Sequence, residues 1–139
     1  MKRYRSASIF VITLLLSTAS LCAPRVTRAA AQHGFSFKEY EKFHDVLHPL
    51  EHDALPKKDY RRIRSQANLL VKRGNAIVKL GVPSGTGEDK KEEFAKGLNS
   101  FREALAKFKA DARHGTNDQL KTSYSAVHDS FEMLAALVR

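Results

Sequence analysis

The most constraining feature of this sequence is a repeat of apolar residues at alternating spacings of four and three. Two such runs follow one another in the C-terminal half. The first comprises Phe94, Leu98, Phe101, Leu105, Phe108 and Ala112, and the second comprises Leu120, Tyr124, Val127, Phe131, Leu134 and Val138. This spacing places all members of a run on one face of an α-helix, as in helices that pack in bundles. No segment alternates with period two, so the sequence predicts no β-strand.

The region before these runs carries the signals of a first helix, from about residue 37 to residues 49–52. Ser36 and Glu39 have the spacing of a capping box, and Phe35 and Tyr40 have that of a hydrophobic staple. Pro49 is expected to kink or end this helix, because proline cannot donate the i→i−4 hydrogen bond.

Further start and stop signals define three more helices. A second is predicted over residues 57–80 and ends at Gly81. A third, over 88–113, ends at Gly115, and Thr116 with Gln119 forms a capping box that opens the fourth. Four amphipathic helices with short connections favour an all-α fold, an up-down-up-down antiparallel four-helix bundle.

The N-terminus has the three parts of a secretory signal. Basic residues near the start precede an apolar run from Ile9 to Leu16, and Ala29–Ala31 offers a cleavage site. The apolar run is shorter than the ~18 residues that span a bilayer, so we expect no stable membrane anchor after cleavage. We therefore predict a cleavable signal peptide over 1–31, a bundle domain over 32–139, and export to the periplasm.

Charge and cysteine content narrow the function classes. Five of the 24 basic residues and none of the 15 acidic residues lie in 1–31, so the remainder carries 19 basic against 15 acidic residues, a net charge of +4. These charges are spread over every helix, which argues against a nucleic-acid partner. The only cysteine, Cys22, would leave with the signal, so no thiolate site is expected. No serine lies in a nucleophile elbow, and we predict no enzymatic activity.

Histidines are the candidate functional residues. His44, His48 and His52 recur at i, i+4 and i+8, so their rings are expected to follow one another along one side of the first helix. His128 lies at the corresponding edge of the fourth helix. At 1.5 Å per residue, His44 and His48 lie about 10 and 16 Å along helix one and His128 about 14 Å from the end of helix four. An antiparallel bundle would bring the three to one level.

This arrangement predicts a metal site. The ligands would be His44, His48 and His128, with Glu51 or His52 assisting, and imidazole with carboxylate suits copper or zinc. The predicted partner is thus a metal ion, and a homodimer is left open. The alternative is that the chain is a structural or interaction module and that these histidines lie at its edge without binding a metal.

Two segments resemble the cytochrome c prime family of periplasmic four-helix bundles. Residues 81–87 (GVPSGTG) resemble that family's loop between helices two and three, and residues 115–127 (GTNDQLKTSYSAV) are similar to the lead-in to its haem motif. The likeness covers roughly half of the predicted mature chain. It implies the bundle fold and the periplasmic compartment.

The resemblance breaks at the haem-attachment motif. In the family's register the two cysteine positions fall on Phe131 and Leu134, and the axial histidine position falls on Ala135. A shifted register places Tyr124 and Val127 at the cysteine positions. Either register excludes covalent haem. A non-covalent haem between His44 or His48 and His128 stays open as a third interpretation.

Overall fold

A computed structural model describes residues 35–138 of the chain, and these fold into four α-helices. The elements are α1 (Lys38–Pro49), a π-helical turn (Leu50–Ala54), α2 (Tyr60–Leu80), α3 (Glu88–His114) and α4 (Asn117–Leu137). No strand occurs among these residues, so the all-α class is confirmed for them. The signal peptide predicted over residues 1–31 lies outside the described residues.

The core is built from the apolar faces that the spacing predicts. Helix α3 packs against both α2 and α4, and α1 packs against α2. Five of the six predicted positions on α3 and all six of the second run are buried, and Ala112 is half-buried. The predicted face of α2 is buried as well: Ile63, Ala67, Leu70, Gly74 and Ile77. Burial of these side chains is the main term that stabilises the fold.

Of the two predicted capping boxes, one is present. The Thr116 hydroxyl accepts from the Gln119 amide at 3.2 Å, and the Gln119 side chain accepts from the Thr116 amide at 2.8 Å. The box at Ser36 is wrong: α1 begins after Phe37 without a side-chain cap. The Ser36 hydroxyl instead donates to the Val138 carbonyl at 2.7 Å, near the end of α4. Because the N-cap is Phe37, Ser36 lies one residue before the position that the capping box requires, and its long-range bond was invisible in the local pattern.

The hydrophobic staple predicted at the same end is compatible with the packing. The Phe35 and Tyr40 rings lie 6.3 Å apart between centroids, and Tyr40 is buried. Aromatic pairs at this separation contribute beyond their buried area.

Pro49 is the last residue of α1, as the sequence predicts, but the chain does not leave the helical path. Five residues continue as a π-helical turn, in which the Leu55 amide donates to the Leu50 carbonyl at 2.9 Å. Proline has no N–H to give, so the i→i−4 hydrogen bond is missing at this position, and the π-helical turn follows directly. Helix α2 consequently begins at Tyr60, three residues later than predicted, with the Asp59 side chain accepting from the Arg62 amide at 3.0 Å.

The end of α3 is held by a long-range contact that the sequence did not reveal. The Arg64 guanidinium, on α2, donates to the carbonyls of Asp111 at 2.9 Å, Ala112 at 3.0 Å and Gly115 at 2.8 Å. The last carbonyls of a helix lack a full set of intrahelical donors, which the guanidinium supplies here, and its positive charge also complements the helix dipole. Within residues 35–138 no helix combines the length and apolarity needed to cross a bilayer.

A substitution at Gly74 tests the close packing of α2 on α3. A Cβ added to Gly74 would lie 2.6 Å from Cδ1 of Leu105, so the buried Leu105 side chain would have to shift within the core. We expect Gly74→Ala to lower the free energy of unfolding by about 1–3 kcal/mol, measured by chemical denaturation. In a Leu105→Ala background the clash is gone, and the same change should become stabilising because alanine favours helix over glycine. An equal cost in both backgrounds would contradict this packing.

Candidate functional site

Three histidines form a continuous row of rings, the histidine ladder, along α1 and the π-helical turn. The ring centroids of His44 and His48 are 5.2 Å apart, and those of His48 and His52 are 4.3 Å apart. The i, i+4 spacing produces this row because such residues lie one above the other on a helix. The second pair belongs partly to the π-helical turn, which has more residues per turn than an α-helix. The predicted order of the three rings along one side of the helix is therefore confirmed.

The two ends of the ladder differ in environment. His44 is half-buried, with its ring centroid 5.5 Å from that of Phe35 and 6.3 Å from that of Phe131. His48 and His52 are exposed. The ladder is therefore anchored at one end by aromatic packing and open to solvent at the other.

His128 lies on the part of α4 that faces α1. Its side chain is 31% exposed, and its Nδ1 is 3.3 Å from an Asp129 carboxylate oxygen. One turn on either side, Tyr124 and Phe131 contact α1. His128 is therefore partly exposed, one turn from two side chains that contact α1.

Within residues 35–138, no group of three or more histidine, cysteine, aspartate or glutamate side chains is arranged so that it could hold a metal ion. The five-residue metal site drawn from the sequence (His44, His48, His128, Glu51 and His52) therefore stays a prediction. The structure shows two adjacent ring pairs within this set, His44 with His48 and His48 with His52.

Glu51 lies beside a buried tyrosine of α4. The Tyr124 hydroxyl is fully buried and donates its proton to the Leu47 carbonyl at 3.0 Å. Burial, together with the neighbouring Glu51 charge, raises the pKa of Tyr124 well above its usual range. The Glu51 carboxylate lies close to this hydroxyl, and its Oε2 is buried without a hydrogen-bond partner. Sequence reasoning placed Tyr124 in the core but had no signal for this polar contact.

The positions aligned with the haem-attachment motif are filled by core side chains. Phe131, Leu134 and Ala135 are all fully buried. The Phe131 ring lies at the centre of an aromatic cluster, 4.7 Å from the Phe43 ring and 6.0 Å from the Tyr40 ring between centroids.

Removing the Tyr124 hydroxyl tests this buried contact. At neutral pH, Tyr124→Phe removes this buried hydrogen bond and leaves the Leu47 carbonyl with the Leu50 amide as its donor, so we expect the free energy of unfolding to fall by about 0.5–1.5 kcal/mol. The raised pKa keeps Tyr124 protonated in the folded state while the unfolded state ionises near its ordinary value of about 10, so wild-type stability declines above that pH.

The difference between wild type and Tyr124→Phe should therefore shrink as the pH rises above about 10. Chemical denaturation across this range is the measurement, and Tyr60→Phe, at a half-buried position, is the matched control. A difference independent of pH would show that Tyr124 does not titrate on unfolding.

No family model, no curated protein and no solved structure matches this chain.

Proposed function

We propose that this chain is an exported, non-catalytic protein that folds as an up-down-up-down antiparallel four-helix bundle. It binds a copper or zinc ion through histidines of helices one and four, with the histidine ladder as the core of the site. The observation that carries the proposal is the histidine ladder, with successive ring centroids 5.2 and 4.3 Å apart. The periplasmic location rests on the signal-like segment over residues 1–31.

The contacts between α1 and α4 support the antiparallel arrangement. Tyr40, early in α1, packs against Phe131, late in α4. Leu47, near the end of α1, accepts a hydrogen bond from Tyr124, which comes earlier in α4. Residues early in one helix thus contact residues late in the other, which is typical of antiparallel neighbours in a bundle.

Two adjacent histidine rings of the ladder would chelate the metal. His48 belongs to both pairs, since its ring is next to that of His44 on one side and that of His52 on the other. Neutral imidazole nitrogens suit zinc and copper, and water or the predicted ligands Glu51 and His128 would complete the coordination.

The position of the ladder favours sequestration or delivery of the ion. His48 and His52 are exposed, so a bound ion would remain accessible to a partner or to exchange. His44, packed against the Phe35 and Phe131 rings, would reduce the rotamer freedom that chelation has to remove.

A second candidate function is a haem-less structural or interaction module of the cytochrome c prime-like kind. The full burial of Phe131, Leu134 and Ala135 favours it, because core side chains occupy the positions aligned with haem attachment. Non-covalent haem between His44 or His48 and His128 ranks below both candidates. Failure of zinc and copper to bind would favour the structural module, and a Soret band on addition of haem would favour the third.

Single substitutions along the ladder test the metal proposal. His48→Ala removes a ligand from both pairs, so we expect it to abolish binding of Zn²⁺ and Cu²⁺ in calorimetric titrations. His44→Ala and His52→Ala each leave one pair and should only weaken binding. At 100 times its dissociation constant, the ion should stabilise wild type against unfolding by about 2.7 kcal/mol, and this shift should vanish in His48→Ala.

His114→Ala is the matched control, since His114 is an exposed histidine at the end of α3. It should bind as wild type does. His128→Ala separates the pairwise site from the wider predicted site: loss of affinity would place His128 among the ligands. Binding that survives His48→Ala undiminished would contradict the ladder as the metal site.

A further inference from the structure

A polar cleft lies beyond the histidine ladder, where the π-helical turn and the loop before α2 meet α4. Its volume is about 330 Å³, at the lower end of the range for small-ligand pockets. The residues that line it are Glu51, Leu55, Pro56, Lys58, Tyr60 and Lys121. The cleft thus combines one carboxylate and two ammonium groups with an aromatic ring and two apolar side chains.

One oxygen of the Glu51 carboxylate lacks a donor. This atom, Oε2, is buried without a hydrogen-bond partner. A buried carboxylate oxygen in this state is costly, and a cationic N–H donor entering the cleft would satisfy it.

Two lysines of the cleft can bind an anionic group of a ligand. Among residues 35–138, neither the Lys58 nor the Lys121 ammonium takes part in a salt bridge. Both line the same cleft as Glu51. An anionic group on a ligand would therefore find two cations, while a cationic group on the same ligand would find Glu51.

The wall of the cleft is a fixed turn. The Lys58 amide donates to the Leu55 carbonyl at 3.0 Å, and the Asp59 amide donates to the Ala54 carbonyl at 2.8 Å. These bonds hold Leu55, Pro56 and Tyr60 in place, so the cleft offers a preformed apolar surface beside its charges. Preformed sites of this kind bind with a smaller entropic cost than flexible ones.

The geometry points to a binding site for a small zwitterion of the α-amino acid class. The ligand ammonium pairs with Glu51, its carboxylate pairs with Lys58 and Lys121, and its side chain lies against Leu55, Pro56 and Tyr60. This site uses no histidine of the ladder, and it shares only Glu51 with the predicted metal ligands.

Calorimetric titration of the purified, metal-free protein in EDTA with each of the twenty common L-amino acids tests this assignment. We expect at least one to bind. Its N-acetyl derivative, which lacks the ammonium, and its methyl ester, which lacks the carboxylate, should each bind about tenfold more weakly or worse. Because the buffer removes metal ions, the result does not depend on the histidine ladder.

Variants locate the site. Glu51→Gln preserves shape and removes the charge, and Lys121→Gln removes one cation; each should weaken binding about tenfold. Lys109→Gln, at an exposed lysine of α3 outside the cleft, is the matched control and should leave binding unchanged. Circular dichroism of each variant verifies that it is folded.

Three results would overturn the proposal: no heat from any amino acid at about 10 mM, equal binding of the N-acetyl derivative and its parent, or unchanged affinity in folded Glu51→Gln.

Discussion

The packing of Phe131 against the first helix is the contact on which the rest of the structure depends. This one side chain touches the rings of Tyr40, Phe43 and His44, and it is fully buried. It fixes α1 against α4 through apolar burial and aromatic contact, which together make large aromatic side chains dominant in cores. The inner end of the histidine ladder is placed by the same ring. The proposed chelating surface is therefore built outward from the core.

Pro49 sets the second constraint. It is the last residue of α1, and the helical path continues directly into the π-helical turn that carries Glu51 and His52. The turn brings the His52 ring to 4.3 Å from that of His48 while Glu51 lies beside Tyr124. Single π-turns within α-helices occur frequently at functional sites. Here the turn contributes to both the ladder and the polar cleft.

The helical fold could be predicted because its determinants are local and periodic. Residues close together in the sequence determine the apolar runs on α3 and α4, the stop at Gly81 and the Thr116 capping box. The order of the histidine rings followed from the same periodicity. What the sequence could not reveal depends on pairs distant along the chain: Ser36 with Val138, Arg64 with the end of α3, and Tyr124 with Leu47. The start of α2 was also misplaced, since a π-helical turn has no distinct residue pattern.

The most direct test of the account is imidazole ¹⁵N NMR of the protein during titration with Zn²⁺. The account predicts that the ¹⁵N chemical shifts of the His48 ring and of one adjacent ring, His44 or His52, change together and saturate with a single bound ion. The shifts of the His114 ring should stay unchanged. Equal changes at His48 and His114, or saturation without any change at His48, would contradict the claim that the histidine ladder chelates the ion.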